Sequence, residues 1–399
     1  MNKKNIYFLA DAPINLFDLH ENLKNFYKIY WVVYNEDVVN ELKNRNVKNI
    51  IYIDNLSFIN FLGKKNMIYK IFRLFISKFF NKIERNALLT KIKKIEDINK
   101  PDFWITDTGS VLSKVKTSSP KCTFKHSVCY KNYYLNENIF DYDHVFLPGN
   151  YHYNRIVKFW KDKVNNQEFD KLIVAGSLKI SPYVKKKNLN EVEKEKLLNK
   201  LNLSKDRKTV LFAPSHDAHG YGSGLFLPKK FGNQFESLRK ISKFITEELN
   251  YNFILKLHHF HFNLLKNSEI RKIEEEKNNY VFKKAKYIDT EASENLIRLS
   301  DVIISDISGV APIGAFLKKK IIFLEPDPFF DWQKCDMEPH YRPGFICENF
   351  IDLTLALKKY GSSENFFIKE KEKFVNEIFF KHEVDAIENI SKSLQKIIN

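Results

Sequence analysis

The chain has 399 residues, 44% of them apolar and 29% charged, with 65 Lys and Arg against 49 Asp and Glu and a formal charge of +16. At roughly 100–200 residues per domain that length predicts two domains, and the apolar content excludes a disordered polyelectrolyte. The 12 glycines are too few for collagen-like or Gly-rich linker architectures, and four cysteines without a CxxC pair exclude a disulfide scaffold; a reducing, intracellular setting is expected.

In chain order, short apolar strands are predicted at Ile6–Ala10, Tyr30–Tyr34 and Asn49–Ile53, with helical spacing between them. Only five apolar residues precede Asp11, too few for a signal peptide, and no run of about 20 apolar residues spans a bilayer. Residues 64–83 carry six basic residues and no acidic one. On a helix, Ile68, Phe72, Phe75, Ile76, Phe79 and Ile83 line one face, flanked by Lys70, Arg73, Lys78 and Lys82. Such a helix suits an anionic bilayer surface, and equally a core-packing helix with a basic rim. Further strands are predicted at Phe103–Thr106, Lys121–Phe124, His144–Leu147 and Leu172–Ala175.

Residues 184–208 read as a linker or surface helix, after which the pattern restarts. Strands are predicted at Thr209–Ala213, Asn252–Leu257, Val281–Phe282, Tyr287–Ile288, Asp301–Ser305 and Lys320–Leu324, followed by a helical stretch at Phe374–Ile398. Strands alternating with helices predict an α/β fold of two Rossmann-like domains facing across a cleft. The predicted boundaries are 1–185, 186–370 and a C-terminal helix at 371–399.

The segment Ser305-Asp306-Ile307-Ser308-Gly309 joins a buried strand to a helix. Its amides, the Ser308 hydroxyl and Gly309 can receive an anion; Ser308 can equally be an ordinary N-cap. His258, His259 and His261 cluster after a strand, but alternation sends neighbours to opposite faces, so no metal site is expected. Residues 215–224 hold three glycines without a P-loop or GxGxxG register. Asp289 and Glu294 stand ahead of the turn, able to meet a ribose or glycerol hydroxyl or to cap a helix.

Tyr287-Ile-Asp289, Glu294 through Asp306-Ile-Ser308 and Lys320 through Asp327 together resemble the CDP-glycerol glycerophosphotransferase family of teichoic acid and capsule polymer enzymes. Val210-Leu-Phe-Ala-Pro-Ser215, Leu255-Lys-Leu-His258, Phe124-Lys-His126 with Lys131, and loosely Arg342-Pro-Gly-Phe345 resemble further family elements in the same order. The chain departs from the pattern at Ser127-Val128-Cys129, His216-Asp217, His259, Ile307, Gly309 and Ile313.

The resemblance implies a GT-B fold whose second domain holds the donor. It implies His126 as the base and His258 as a catalytic residue hydrogen-bonding the donor phosphates. Lys131, Ser215, Asp306, Ser308, Gly309, Asp289 and Glu294 would contact donor phosphate or nucleotide, with no metal and no cofactor. The implied reaction moves a phospho-alditol from a CDP-activated donor to a lipid-linked or polymeric glycan acceptor and releases CMP. It places the chain in the cytoplasm, peripheral on the inner face of an anionic membrane. A nucleotide-sugar glycosyltransferase or epimerase on the same scaffold is the alternative, and a basic membrane- or nucleic-acid-associated binding protein the non-enzymatic one. No nucleic-acid recognition signature is visible, so nucleic acid is not an expected partner.

Overall fold

The computed structural model describes residues 3–9, 14–34, 36–53, 86–107, 111–124, 135, 137–215, 226–257, 267–282, 290–325, 341–361, 366–381 and 385–399. The basic segment 64–83 and the expected strand at 287–288 lie outside these. The described chain divides into two compact units, one running to Lys179 and completed by the residues from Asp385 onward, the other running from Ile180 to Lys381.

The first unit is built on seven strands: β1 Asn5–Leu9, β2 Lys28–Val33, β3 Ile50–Tyr52, β4 Phe103–Thr106, β5 Lys121–Phe124, β6 His144–Leu147 and β7 Leu172–Val174. They pair in the order β3-β2-β1-β4-β5-β6-β7, and every pairing is parallel. Parallel sheets need helices on both faces, and the side chains divide accordingly. Ile6 and Phe8 of β1 enter one core with α1 (Ile14–Leu23) and α2 (Glu36–Asn44), while Tyr7 and Leu9 enter the opposite core with Leu88, Ile92 and Trp104.

The second unit repeats the plan with six strands: β8 Thr209–Phe212, β9 Asn252–Leu255, β10 Asn279–Val281, β11 Val302–Ser305, β12 Lys320–Leu324 and β13 Phe345–Cys347. Their order is β10-β9-β8-β11-β12-β13, again wholly parallel. β8, β9 and β11 are buried along their whole length, which is why their sequences are continuous apolar runs rather than alternating ones. Residues 184–208 include an exposed helix, Glu191–Lys200, closed at its start by a reciprocal capping box of Asn190 and Glu193.

Two departures from the sequence reading have physical causes. The strand β13 was not expected, because three residues carry no periodicity. It forms where Gly344 backs onto β12 so closely that a Cβ would stand 2.1 Å from the Ile321 carbonyl oxygen. The stretch expected as one helix from Phe374 to Ile398 is instead two, α6 (Ile368–Ile378) and α7 (Ala386–Ile398). Phe379 turns extended and Lys381 takes a positive φ of 45°. α7 belongs to the first unit, where Ala386, Ile390, Leu394 and Ile398 join the core containing α1.

Candidate functional site

In both sheets the chain reverses its winding between the first and fourth strands, between β1 and β4 and between β8 and β11. Loops leaving the carboxyl ends of such strands diverge and open a crevice. In the second unit the residues that follow β8 and β11 are Ser215 and Asp306, both almost fully buried. The Asp306 carboxylate bridges the two strand ends. It accepts the Ser215 N–H at 2.7 and 2.9 Å on its two oxygens, and the Ser308 N–H at 2.9 Å. Alongside, the Ser305 hydroxyl donates to the Ala213 carbonyl at 2.8 Å, and Ala213 N–H donates to Ile304 at 2.8 Å.

Asp306 therefore anchors two loops from their backbones, which is the task a buried acceptor-only carboxylate performs well. The structure gives it the position of a scaffold for the crevice. Ser308 accepts from the Val310 N–H at 3.4 Å at the start of α5 (Val310–Phe316). Gly309 has an ordinary helical φ of −62°, with nothing within 4 Å of the point where a Cβ would stand. Its glycine is thus not demanded by backbone or neighbours. Glu294 lies on α4 (Thr290–Leu299), 3.6 Å from Arg298. Arg298 in turn donates to the carbonyls of Pro182 and Lys186 and lies over the Tyr183 ring. Glu294 thus supports a buried arginine that ties residues 182–186 to the second unit.

His126, Lys131, His258 and Asp289, with residues 216–225 and the imidazoles at 259 and 261, lie outside the described residues. The strand ends that lead into them are described, and they point to side chains the motifs did not flag. Lys256 follows β9 directly; burial holds its ammonium below the ordinary lysine pKa, and Nζ lies 6.0 Å from the Phe282 ring. A cation set among Leu255, Leu257 and Phe282 stands out from an apolar strand end, and that contrast was the available signal. Beyond β12, Glu325 pairs with Arg342.

The first unit presents polar groups at its own switch point. Asp107 follows β4 and is 1% exposed. α3 (Asn150–Trp160) starts just beyond β6, and its first turns bury Tyr151, His152 and Arg155. Arg155 lies 5.8 Å from the Tyr151 ring, with its guanidinium 3.4 Å from the tyrosine hydroxyl. Burial first, and the Arg155 charge second, lower the His152 pKa to about 3, so its imidazole is neutral. Nothing in the Tyr151-His152 sequence distinguishes this turn from a surface one; its place at the carboxyl end of β6, two strands from the switch point, is set by the sheet order. Among the described residues no three His, Cys, Asp or Glu side chains converge as metal ligands, and no helix is long and apolar enough to cross a membrane.

Two parallel sheets with the same strand order, each carrying its polar loops at the switch point, define a protein of the GT-B class. Solved structures share that fold. The wall teichoic acid polymerase TagF superposes with a TM-score of 0.60 at 16% identity, over 99% of this chain and 89% of that one. The UDP-GlcNAc 2-epimerase of Methanocaldococcus jannaschii, solved with UDP-GlcNAc and UDP, superposes with a TM-score of 0.59 at 16% identity, over 98% and 99%.

Residues 112–394 match the CDP-glycerol:poly(glycerophosphate) glycerophosphotransferase family, and the chain belongs to it. The teichoic acid poly(glycerol phosphate) polymerase of Bacillus spizizenii is 28% identical over 209 residues, 50% of this chain and 48% of that protein. The chain thus spans about half the length of this curated relative.

Proposed function

We propose that the chain transfers glycerol phosphate, or a closely related phospho-alditol, from a CDP-activated donor to a hydroxyl of a teichoic-acid-like acceptor. The observation that carries this reading is the family match over residues 112–394, within which the Asp306 clamp closes the switch point of the second sheet. A TagF structure soaked with CDPG supports a CDP-linked donor for this scaffold.

In the reaction the acceptor oxygen attacks the phosphorus bearing the alditol. The bond from that phosphorus to the oxygen of the inner phosphate breaks, and CMP leaves. His126 takes the acceptor proton, a task suited to an imidazole titrating near neutral pH. His258, at the end of β9, donates to the diphosphate, with Lys131 and the half-buried Lys256 offsetting its charge. In this reading the amides around Ser308 and Gly309 seat the donor phosphates beside Ser215, and Asp289 and Glu294 are assigned to the ribose or alditol, Glu294 from its place next to Arg298. Asp306 holds the loops that present them. The donor occupies the second unit and the acceptor the first. The chain works at the inner membrane face, held there by residues 64–83; removing the basic residues of that segment should abolish co-sedimentation with anionic vesicles.

The test is a donor panel. Incubated with a phosphorylated acceptor, the purified chain should release CMP from CDP-glycerol or CDP-ribitol and leave UDP-sugars intact. Turnover of a UDP-sugar with no CMP from any CDP-alditol sinks the proposal in favour of the nucleotide-sugar alternative, whose fold is equally close.

A further inference from the structure

A cavity of about 830 Å³ opens in the first unit at the amino-terminal edge of its sheet, where β1, β2 and β3 begin. The five residues of β1 separate it from the switch point by about 16 Å, so it is no part of the crevice described above. Its walls carry Lys3, Lys24, Lys28, Arg45 and Lys48 against a single carboxylate, Glu21.

Two of the cations have local tasks. Lys24 follows α1 and pairs with Glu21; Arg45 follows α2, pairs with Glu41 at 2.7 Å and stacks 4.5 Å from the Phe17 ring. Both also complement helix carboxyl ends. Lys3, Lys28 and Lys48 differ, for none makes an ion pair among the described residues, although Lys28 Nζ lies 5.2 Å over the Tyr30 ring. Each stands just before or at the start of one of three adjacent strands, so the three are spread over about 10 Å at the usual strand spacing. The floor between them is His20, Phe17 and Tyr27. His20 accepts a hydrogen bond from Trp31 Nε1 at 3.0 Å, and burial keeps its pKa below the ordinary value, so it adds a polar neutral surface rather than another charge.

We propose that this cavity is a second binding site for the polyanionic acceptor, holding a stretch of phosphodiester-linked alditol chain away from the reacting end. Three cations spread over about 10 Å of a sheet edge match a chain with phosphates at regular intervals better than a single phosphate, which would have to draw three flexible side chains together. The volume falls in the range of about 300–1,000 Å³ that encloses whole small ligands, and a concave site suits a flexible chain better than a flat bilayer. The proposal rests on the transferase reading for the identity of the polymer.

Fluorescently labelled oligo(glycerol phosphate) provides the probe, with binding read by anisotropy on the full chain. The triple variant Lys3→Gln, Lys28→Gln, Lys48→Gln is expected to bind at least tenfold more weakly. The slope of log affinity against log salt should fall by about 2, as for a flexible single-stranded polyanion losing three contacts. CMP release with a single-unit acceptor should stay within twofold of wild type, while the KM for long acceptors rises. A control triple of exposed lysines elsewhere, Lys161→Gln, Lys196→Gln, Lys200→Gln, should bind as wild type does. Unchanged polymer binding by the first triple overturns the proposal, as does a loss shared equally by the control. A first triple that keeps the polymer but loses phosphatidylglycerol vesicles also overturns it, in favour of a lipid surface. Absence of CMP release by the wild type refutes the transferase reading separately, because the binding comparison needs no donor.

Discussion

Asp306 shows how one side chain can shape a site through the backbone of its neighbours. Its carboxylate satisfies the buried Ser215 amide and the half-buried Ser308 amide, which lie on different loops, and a buried donor left unsatisfied costs about 1–3 kcal/mol. Asp306→Ala is therefore expected to lower unfolding free energy by a few kcal/mol, measured by urea titration. Asp306→Asn keeps one carbonyl acceptor but adds donors facing the Ser215 and Ser308 amides. It should remain folded while donor affinity falls, seen as a raised KM with a smaller change in kcat. A stable Asp306→Asn protein with unaltered KM and kcat would show that the clamp does not position the donor loops.

His152 yields a pH dependence of determinate sign. Its folded pKa of about 3 lies below the ordinary 6.5, so the unfolded chain takes up a proton that the native one refuses. The native state is thus favoured in full above pH 6.5, and stability is lost as pH falls from 6.5 toward 3, by at most about 1.4 kcal/mol per pH unit. His20 and His144 are shifted in the same direction by burial and share the effect. Urea midpoints of wild type and His152→Gln should converge as pH drops from 7 to 5. Parallel curves would mean that His152 is not the group responsible.

At the scale of elements, most of the fold was legible in the sequence. β4, β5, β6 and β12 occupy the residues their apolar runs predicted, because strands buried on both faces admit little but Val, Ile, Leu and Phe. The alternation of these runs with helical spacing also carried the class, an α/β pair of sheets. What stayed hidden was set by tertiary contact. β13 exists because β12 offers an unpaired edge and Gly344 permits close approach. α7 returns to the first unit because its apolar face fits beside α1, a partner nearly the whole chain away. The site divided along the same line. The Asp306–Ser308 turn was visible as a motif; that its carboxylate also accepts the Ser215 and Ser308 amides was not, because Ser215 lies 91 residues away in sequence. Asp107, His152, Arg155 and Lys256 carry no motif; each gains meaning from the strand end on which it falls.

At the scale of the molecule, the excess of positive charge first admitted nucleic acid, membrane and anionic substrates together. The described residues place one concentrated share of it around the amino-terminal edge of the first sheet, where three lysines stand without ion pairs. The division into units bears on stability as well. Leu394 is fully buried in the first unit's core, some 200 residues beyond the rest of that unit's sequence, while the second unit has a core of its own around Phe212, Phe253 and Ile304. Leu394→Ala removes buried methyl groups at a cost of about 2–5 kcal/mol. Hydrogen exchange followed by mass spectrometry should therefore accelerate across β1, β2, β4 and β5, whose side chains share the core with α7. Peptides from β8, β9 and β11, close in sequence to nothing in that core, should keep their protection. Uniform acceleration in both sheets would show that the chain opens as one cooperative body and that its last helix stabilises both units.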